Sequence, residues 1–192
     1  MKSLRQFMEE LSMVTIVMIG GPGSGKSTYS KYISGHFDIP HIYTGDMMRD
    51  LQKRDPEVAK IMDRGDLVPI EKVMKALKDR LGKDDTDNGY ILDGFPRNMK
   101  QLTRMKQENI DYKYVVYLNV SEKEVIKRLT ARGRKDDKPE IIKNRLKVYE
   151  KETGPVVNEF RKSQRRFIEI KAEGKDEKSI AADIIGEIEK RG

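Results

Sequence analysis

The chain has 192 residues, 36% apolar, 37% charged and 7% aromatic, with a formal net charge of +7. That length suits one domain with small insertions, and the absence of Cys excludes a disulfide framework, a thiolate metal site and a structural zinc cluster of the usual kind. The basic balance fits either nucleic acid or a site for several phosphates; without a lysine-rich tail or a stacking platform of aromatics, it does not choose between them.

In chain order, residues 1–13 read MKSLRQFMEELSM. Leu4, Phe7, Met8 and Leu11 fall at i, i+3, i+4 and i+7, one face of a helix that Ser3 can cap. A helix this short is marginal alone, so its stripe needs a surface to dock on. The same subunit's core would serve, as would a neighbouring subunit, giving a monomer or a small homo-oligomer (dimer or trimer); a frayed terminus is the third reading. The following run, MVTIVMIGG, is too short to span a bilayer and ends in glycines. With no signal peptide evident, a cytoplasmic protein with no membrane partner is the expectation.

From there, strand-length apolar runs alternate with helix-period segments. The runs are Val14–Ile19, a weaker Ile39–Tyr43, Tyr90–Leu92, Val115–Leu118 and Phe167–Ile170. The helical segments are Lys26–His36, Glu71–Leu81, Met99–Glu108, Ser121–Ala131, Pro139–Phe160 and Lys178–Glu189. This pattern predicts an α/β fold: a central parallel five-stranded sheet covered on both faces by helices, with ligands at the carboxyl ends of the strands. The stretch Met47–Gly82 has no strand run and reads as a helical insertion. A shorter interruption, ARGRKDDKP, separates two helices near residue 134. His36 and His41 lack metal-ligand spacing and read as ordinary surface or strand-edge residues.

The first run leads into GGPGSGKST, which meets the pattern Gly-x-x-x-x-Gly-Lys-Ser with Gly20, Gly25, Lys26 and Ser27. Strand, glycines, Lys-Ser and helix coincide, the context that makes this motif a phosphate loop. Its N–H groups and the helix start face phosphate oxygens, Lys26 adds a mobile charge, and Ser27 or Thr28 can face Mg²⁺ or phosphate. A nucleoside triphosphate with Mg²⁺ follows. The acceptor is a separate question. In YILDGFPRNMKQ, Asp93 ends a strand as a ligand to Mg²⁺-bound water would, Pro96 stiffens the turn, and Arg97 is suited to fork onto a phosphate. Gln101, one helical turn on, can read a base edge. YTGDMMR adds Thr44 and Arg49. RGDLVP adds a ledge of Asp66, Leu67 and Val68. Arg128, Arg132, Arg134 and Arg145 crowd the short interruption beside Asp136 and Asp137, which can hold them in register. Phosphoryl transfer needs such cations around the moving group more than it needs covalent chemistry.

At this point the chain resembles the adenylate kinases of the nucleoside monophosphate kinase family. The motifs that carry the resemblance are GGPGSGKST, TGDMMR, GDLVP, LDGFPRNMKQ, RLTARGRKDD and NRLKVYEKETGPVV, in the family's order from about Val14 to the C-terminal helix. The resemblance implies a P-loop NTPase three-layer fold over residues 14–192. It also implies reversible transfer from MgATP to AMP giving two ADP, an AMP-binding insertion at about 43–68 and a lid at about 131–137. By motif, ATP would meet Gly23, Ser24, Gly25, Lys26, Ser27, Thr28, Arg128 and Arg132, and more weakly Gly174, Lys175 and Asp176. AMP would meet Thr44, Arg49, Asp66, Leu67, Val68, Gly94, Phe95, Pro96, Arg97, Gln101, Arg134 and Arg145. The catalytic set would be Lys26, Arg97, Arg132, Arg134 and Arg145, with nucleotide-bound Mg²⁺ held mostly through water near Ser27 and Asp93. There are departures. The lid is very short, with no room for the inserted metal cluster of many bacterial relatives, which implies loose choice of donor base. Ser27 stands where many members have Gly. Asn98 is a feature of the related uridylate/cytidylate kinases, which remain the alternative within the family. From another class, a P-loop ATPase or binding module associated with nucleic acid is the rival; the expectation is no nucleic-acid partner, because phosphate sites explain the basic charge.

Overall fold

A computed structural model describes residues 13–134, 137–162 and 166–192. The amphipathic stripe of residues 1–12 and the lid residue Asp136 lie outside the described residues. Among the described residues, β1 (Val14–Gly20), β2 (His41–Tyr43), β3 (Gly89–Asp93), β4 (Tyr114–Asn119) and β5 (Phe167–Lys171) form one five-stranded sheet of order β2-β3-β1-β4-β5. Every pairing is parallel. The chain therefore steps outward in both directions from β1, and the crevice beyond its carboxyl end is the expected ligand position.

The strands are near-continuously apolar because both faces of the sheet are covered. Alternation along β1 sends Val17 and Ile19 into one core and Ile16 and Met18 into the other. The first core receives Met48 of α2 (Thr44–Gln52), Val58 of α3 (Pro56–Asp63) and Leu77 of α4 (Ile70–Leu81). It also receives Leu102 of α5 (Met99–Gln107), all further along the chain than α1 (Lys26–Phe37). That first helix packs into the second core through Tyr29 and Ile33. A smaller apolar group joins Val125 and Leu129 of α6 (Glu122–Arg132) to Ile142 of α7 (Pro139–Val148). Val156, Val157 and Phe160 of α8 (Gly154–Arg161) return to the first core, and Ile180, Ile184 and Ile188 of α9 (Glu177–Glu189) complete the second. No helix among the described residues is long and apolar enough to cross a membrane.

The elements follow the sequence pattern with two differences. The second strand begins at His41 rather than Ile39, because Pro40 has no N–H to give the ladder; its carbonyl still accepts from Ile91 N at 2.9 Å. The long helix over residues 139–160 is not continuous. Between α7 and α8 the backbone widens into a π turn, Tyr149–Thr153. Pro155 follows within two residues, and its ring and missing N–H oppose a regular helix at that point.

The junction of β3 with β1 yields a test of the sheet. Gly89 opens β3 with φ +127°, and a Cβ there would lie 2.3 Å from the carbonyl oxygen of Val14. Gly89→Ala is expected to lose at least about 2 kcal/mol of stability, from positive φ and backbone clash together. Urea unfolding would measure it, and an unchanged midpoint would contradict this packing.

Candidate active site

Everything at the site starts where β1 ends. The loop after Gly20 turns back through Gly25, which caps α1 with φ 92°, a conformation glycine adopts without penalty. Lys26, first residue of α1, folds back over the loop. Its Nζ donates to the carbonyls of Gly20 and Gly21, each at 2.8 Å, and to Ser24 Oγ at 3.3 Å. Burial lowers the Lys26 pKa to about 8; Asp93 opposes the shift, and the charges of Arg97 and Arg145 add to it. These influences locate Lys26 where the cations from distant segments converge.

Asp93 ends β3 one strand away, paired with Met18 of β1. Its side chain has no exposure. Oδ2 accepts from Ser27 Oγ at 2.7 Å and faces His41 Nε2 at 3.0 Å. Oδ1 is buried with no hydrogen-bond partner among the described residues. A buried carboxylate oxygen left so is costly unless a donor or cation meets it. His41 opens the edge strand β2, as its reading as a strand-edge residue has it; beyond that reading, it is largely buried and faces the carboxylate beside the phosphate loop. No local spacing signals this, because the pair is 52 positions apart and meets only through the pairing of β2 with β3.

Arg97 sits in the turn after β3 with its backbone fastened at both ends. Its N–H donates to Gln101 Oε1 at 2.7 Å, and its carbonyl accepts from Thr153 Oγ1 of the π turn at 2.8 Å. Its Nε donates to the Gly94 carbonyl at 2.7 Å. Gln101 is 3% exposed. Its Oε1 is already engaged, but keeps a second lone pair, and its NH₂ adds two donors. Asn98 is the N-cap of α5 and accepts from Gln101 N at 2.9 Å. Across from this turn, Thr44 Oγ1 donates to the Asp93 carbonyl at 2.9 Å, and Arg49 Nε donates to Asp46 Oδ1 at 3.0 Å. Asp66 accepts from Arg64 Nε and from Asn144 Nδ2, both at 3.0 Å, which ties its segment to α7. Those bonds, Asn144 first, hold its pKa below the usual carboxylate range.

The arginines at the end of α6, just beyond it and on α7 are gathered by one carboxylate. Asp137, with its side chain 1% exposed, accepts from Arg132 Nε at 2.8 Å and Nη2 at 2.6 Å, and from the Arg134 N–H at 3.1 Å. Arg145 Nη1 lies 3.5 Å from its Oδ1. Burial works to raise the Asp137 pKa, and the bonds from Arg132 and Arg134 outweigh it, so the group lies below its ordinary range. Arg128 is held by Glu124 Oε1 and by the Ala172 carbonyl, each at 2.8 Å.

One cavity of about 640 Å³ joins these parts. It is lined by Gly23, Ser24, Gly25, Lys26, Ser27, Thr28, Arg128, Arg132, Lys175 and Asp176 on the phosphate-loop side. Thr44, Arg49, Asp66, Leu67, Val68, Gly94, Pro96, Arg97, Gln101, Arg134 and Arg145 also line it. Three carried-over residues do not. Asp93, named for Mg²⁺, has a fully buried side chain and lies outside the lining. Phe95 is 1% exposed and belongs to the first core; strand alternation would place it on the face of Ile91, but Gly94, at φ 80°, breaks the alternation and turns it to the other side. Gly174 lies outside the lining, although the neighbouring Lys175 and Asp176 belong to it, and Asp176 also caps α9. Sequence reasoning missed Tyr29, Tyr43, Met48, Met62, Tyr149, Thr153 and Glu177, which line the cavity too. Met48 and Met62 fall in the helical insertion, whose apolar spacing was the available signal.

A phosphate loop between a buried parallel strand and a helix, opening on a cavity with a second arginine-walled half, defines a P-loop nucleotide-binding protein. Comparison with known proteins narrows the class. A family model described as adenylate kinase matches residues 18–165. The chain is 39% identical over 154 residues to the adenylate kinase of Mycobacterium sp. (strain MCS), covering 76% of this chain and 85% of that one. It is 36% identical over 193 aligned positions to that of Thermosipho africanus (strain TCF52B), covering 80% and 90%. With that of Corynebacterium diphtheriae (strain ATCC 700971 / NCTC 13129 / Biotype gravis) it shares 37% over 183 positions, covering 91% and 99%. The chain belongs to the adenylate kinase family.

Lys26 provides a test of the site's electrostatics. With its pKa near 8, a fraction of the lysine is neutral at that pH, and a bound polyphosphate favours the ammonium form. Binding of ADP in metal-free buffer at pH 8, where the terminal phosphate of ADP is already ionised, is expected to take up about half a proton. Calorimetry in buffers of different ionisation enthalpy measures this. Proton release, or uptake that persists unchanged in Lys26→Met, would contradict it.

Proposed function

We propose that this chain catalyses reversible transfer of the γ-phosphoryl group of MgATP to AMP, giving two ADP, within the single kinase domain of residues 14–192. The observation that carries the reading is the convergence on one cavity of the phosphate-loop Lys26 with Arg97, Arg132 and Arg145 from three other segments. A nucleotide on each side brings donor and acceptor phosphates together among those cations. The phosphate oxygen of AMP attacks the γ-phosphorus, and the bond to the β–γ bridging oxygen breaks. AMP's phosphate already carries its negative charge at neutral pH, so no general base is required. What the protein supplies is alignment and cations for the charge that spreads over the moving group.

In this assignment the loop from Gly23 to Thr28 holds the ATP phosphates, and Lys26 bridges toward the transferred group. Arg128 supports the donor base, with the backbone of Lys175 and Asp176 beside it. The insertion at about 43–68 receives AMP: Thr44, Arg49 and Arg97 at its phosphate, and Asp66–Val68 and Gln101 at its base. Arg132, Arg134 and Arg145 complete the cation set from the lid at about 131–137 and from α7. Mg²⁺ fits the residues present: Asp93 Oδ1 is a buried acceptor without a partner among the described residues, and Ser27 Oγ lies on the same carboxylate. Ser27 and Asp93 would hold it through water, and bound there it offsets phosphate charge. ATP, AMP and ADP are the partners in this reading, and the cytoplasm is its location.

The pyrimidine alternative loses its main support, since Asn98 is accounted for as the cap of α5. Rates with AMP, UMP, CMP and GMP test this directly. AMP is expected to be preferred, and Gln101→Ala to reduce the preference of AMP over CMP, because a hydrogen-bonded base edge discriminates strongly. An unchanged ratio would show that the base is read elsewhere. Arg97→Ala is expected to lower kcat by about a hundredfold or more with the fold retained, as loss of a transition-state cation does.

The short lid leaves little protein to wrap the donor base, and Arg128 can stack on any base. GTP and other triphosphates are therefore expected to serve as donors. Competition kinetics that gave ATP an advantage of about a thousandfold would contradict that expectation, since a stacking contact alone does not discriminate so far.

A further inference from the structure

Tyr43 opens the stretch YTGDMMR with no role assigned to it there, yet it stands between the two halves of the cavity. It ends β2 opposite Asp93 and lines the cavity. Three neighbours fix its ring. The imidazole of His41 lies nearly parallel to it, with centroids 6.0 Å and planes 15° apart. Gly45 lies directly beneath: a Cβ there would come within 2.7 Å of the ring's Cε2 and Cζ and 2.8 Å of its hydroxyl. The guanidinium carbon of Arg49 lies 5.0 Å from the ring centroid, inside cation–π range. Burial works to raise the phenol's pKa, and the hydrogen bond and charge of Arg49 outweigh it.

Arg49 has a second partner in Asp46, three residues before it on α2. That carboxylate is 66% exposed, and an exposed pair of this kind does little to aim a long side chain. The ring is different, because strand, imidazole and glycine hold it from three directions. It restricts the guanidinium before any phosphate arrives, which removes part of the ordering cost of binding.

We propose that Tyr43 is a positioning residue, its ring holding the Arg49 guanidinium where it meets the phosphate of the acceptor nucleoside monophosphate. This rests on the assignment of Arg49 to that phosphate. On binding, Arg49 exchanges Asp46 for the phosphate and keeps the ring. Gly45 is then glycine because the ring needs the space above it.

The test compares wild type, Tyr43→Phe, Tyr43→Ala, Arg49→Ala and the Tyr43→Ala/Arg49→Ala double variant. AMP binding is measured by calorimetry on the full chain, and KM for AMP and for MgATP by initial rates. Tyr43→Ala is expected to weaken AMP about tenfold and leave KM for MgATP unchanged. Tyr43→Phe keeps the ring face but removes the hydroxyl's hydrogen bond to Arg49, and is expected to fall between wild type and Tyr43→Ala. In the Arg49→Ala background, Tyr43→Ala is expected to add less than about twofold. Tyr43→Leu, which keeps an apolar side chain without a π face, gives the same comparison if the alanine variant does not fold. An equal loss in both backgrounds, or a loss falling on MgATP instead of AMP, would overturn the positioning role. If Arg49→Ala itself left AMP binding unchanged, Arg49's assignment would fail and Tyr43's with it, whereas a large effect of Arg49→Ala with none of Tyr43→Ala would overturn only the present inference.

Discussion

The concentration of positive charge in one cavity is the constraint on which the rest of the site depends. Lys26, Arg49, Arg97, Arg128, Arg132, Arg134 and Arg145 all line it, and like charges in a partly desolvated cleft repel strongly. The fold sets carbonyls and carboxylates against them. Lys26 is met by two loop carbonyls and Arg97 by the Gly94 carbonyl. Asp137 gathers Arg132 and the Arg134 backbone, and Glu124 takes Arg128. Burial does most to lower the pKa of Lys26, and the charges of Arg97 and Arg145 add to it. Several phosphates are the ligand that such an arrangement suits, and their arrival relieves the repulsion instead of adding to it.

The order of strands translates into the order of chemistry. The phosphate loop follows β1, Asp93 ends the adjacent β3, and Tyr43 and Thr44 follow one strand further out. In the proposed assignment, the donor-phosphate, metal and acceptor-phosphate sites thus lie side by side along one sheet edge. The π turn ties the remaining piece in: Thr153, turned aside just before Pro155, reaches the Arg97 carbonyl. The helix that carries Arg145 and the turn that carries Arg97 are in this way fastened to each other.

Features written in local spacing were legible from the amino-acid sequence. The phosphate loop, the Asp93-to-Gln101 turn and the alternation of buried strands with helices all occupy short continuous stretches, and their residue types state their geometry. Features that depend on strand pairing were not. His41 meets Asp93, and Tyr43 meets the cavity, only because β2 lies against β3. Phe95 shows the opposite limit: it stands inside a phosphate-site motif, but its side chain fills the core. Asn98 is intermediate. Its cap lies three residues before the N–H it serves, a local pattern, yet as a motif letter it pointed toward a different acceptor base. The break at Pro155 could have been read from the proline, but the π turn that absorbs it required the packing around Arg97.

The central claim is that phosphate leaves the donor for a nucleotide and not for water. A single turnover with ATP labelled at its γ-phosphate, in the presence of AMP and Mg²⁺, measures this directly. The account predicts that the label appears in the β-phosphate of ADP formed from AMP, well ahead of any label in inorganic phosphate. Label released as inorganic phosphate, at a rate that AMP does not change, would contradict it.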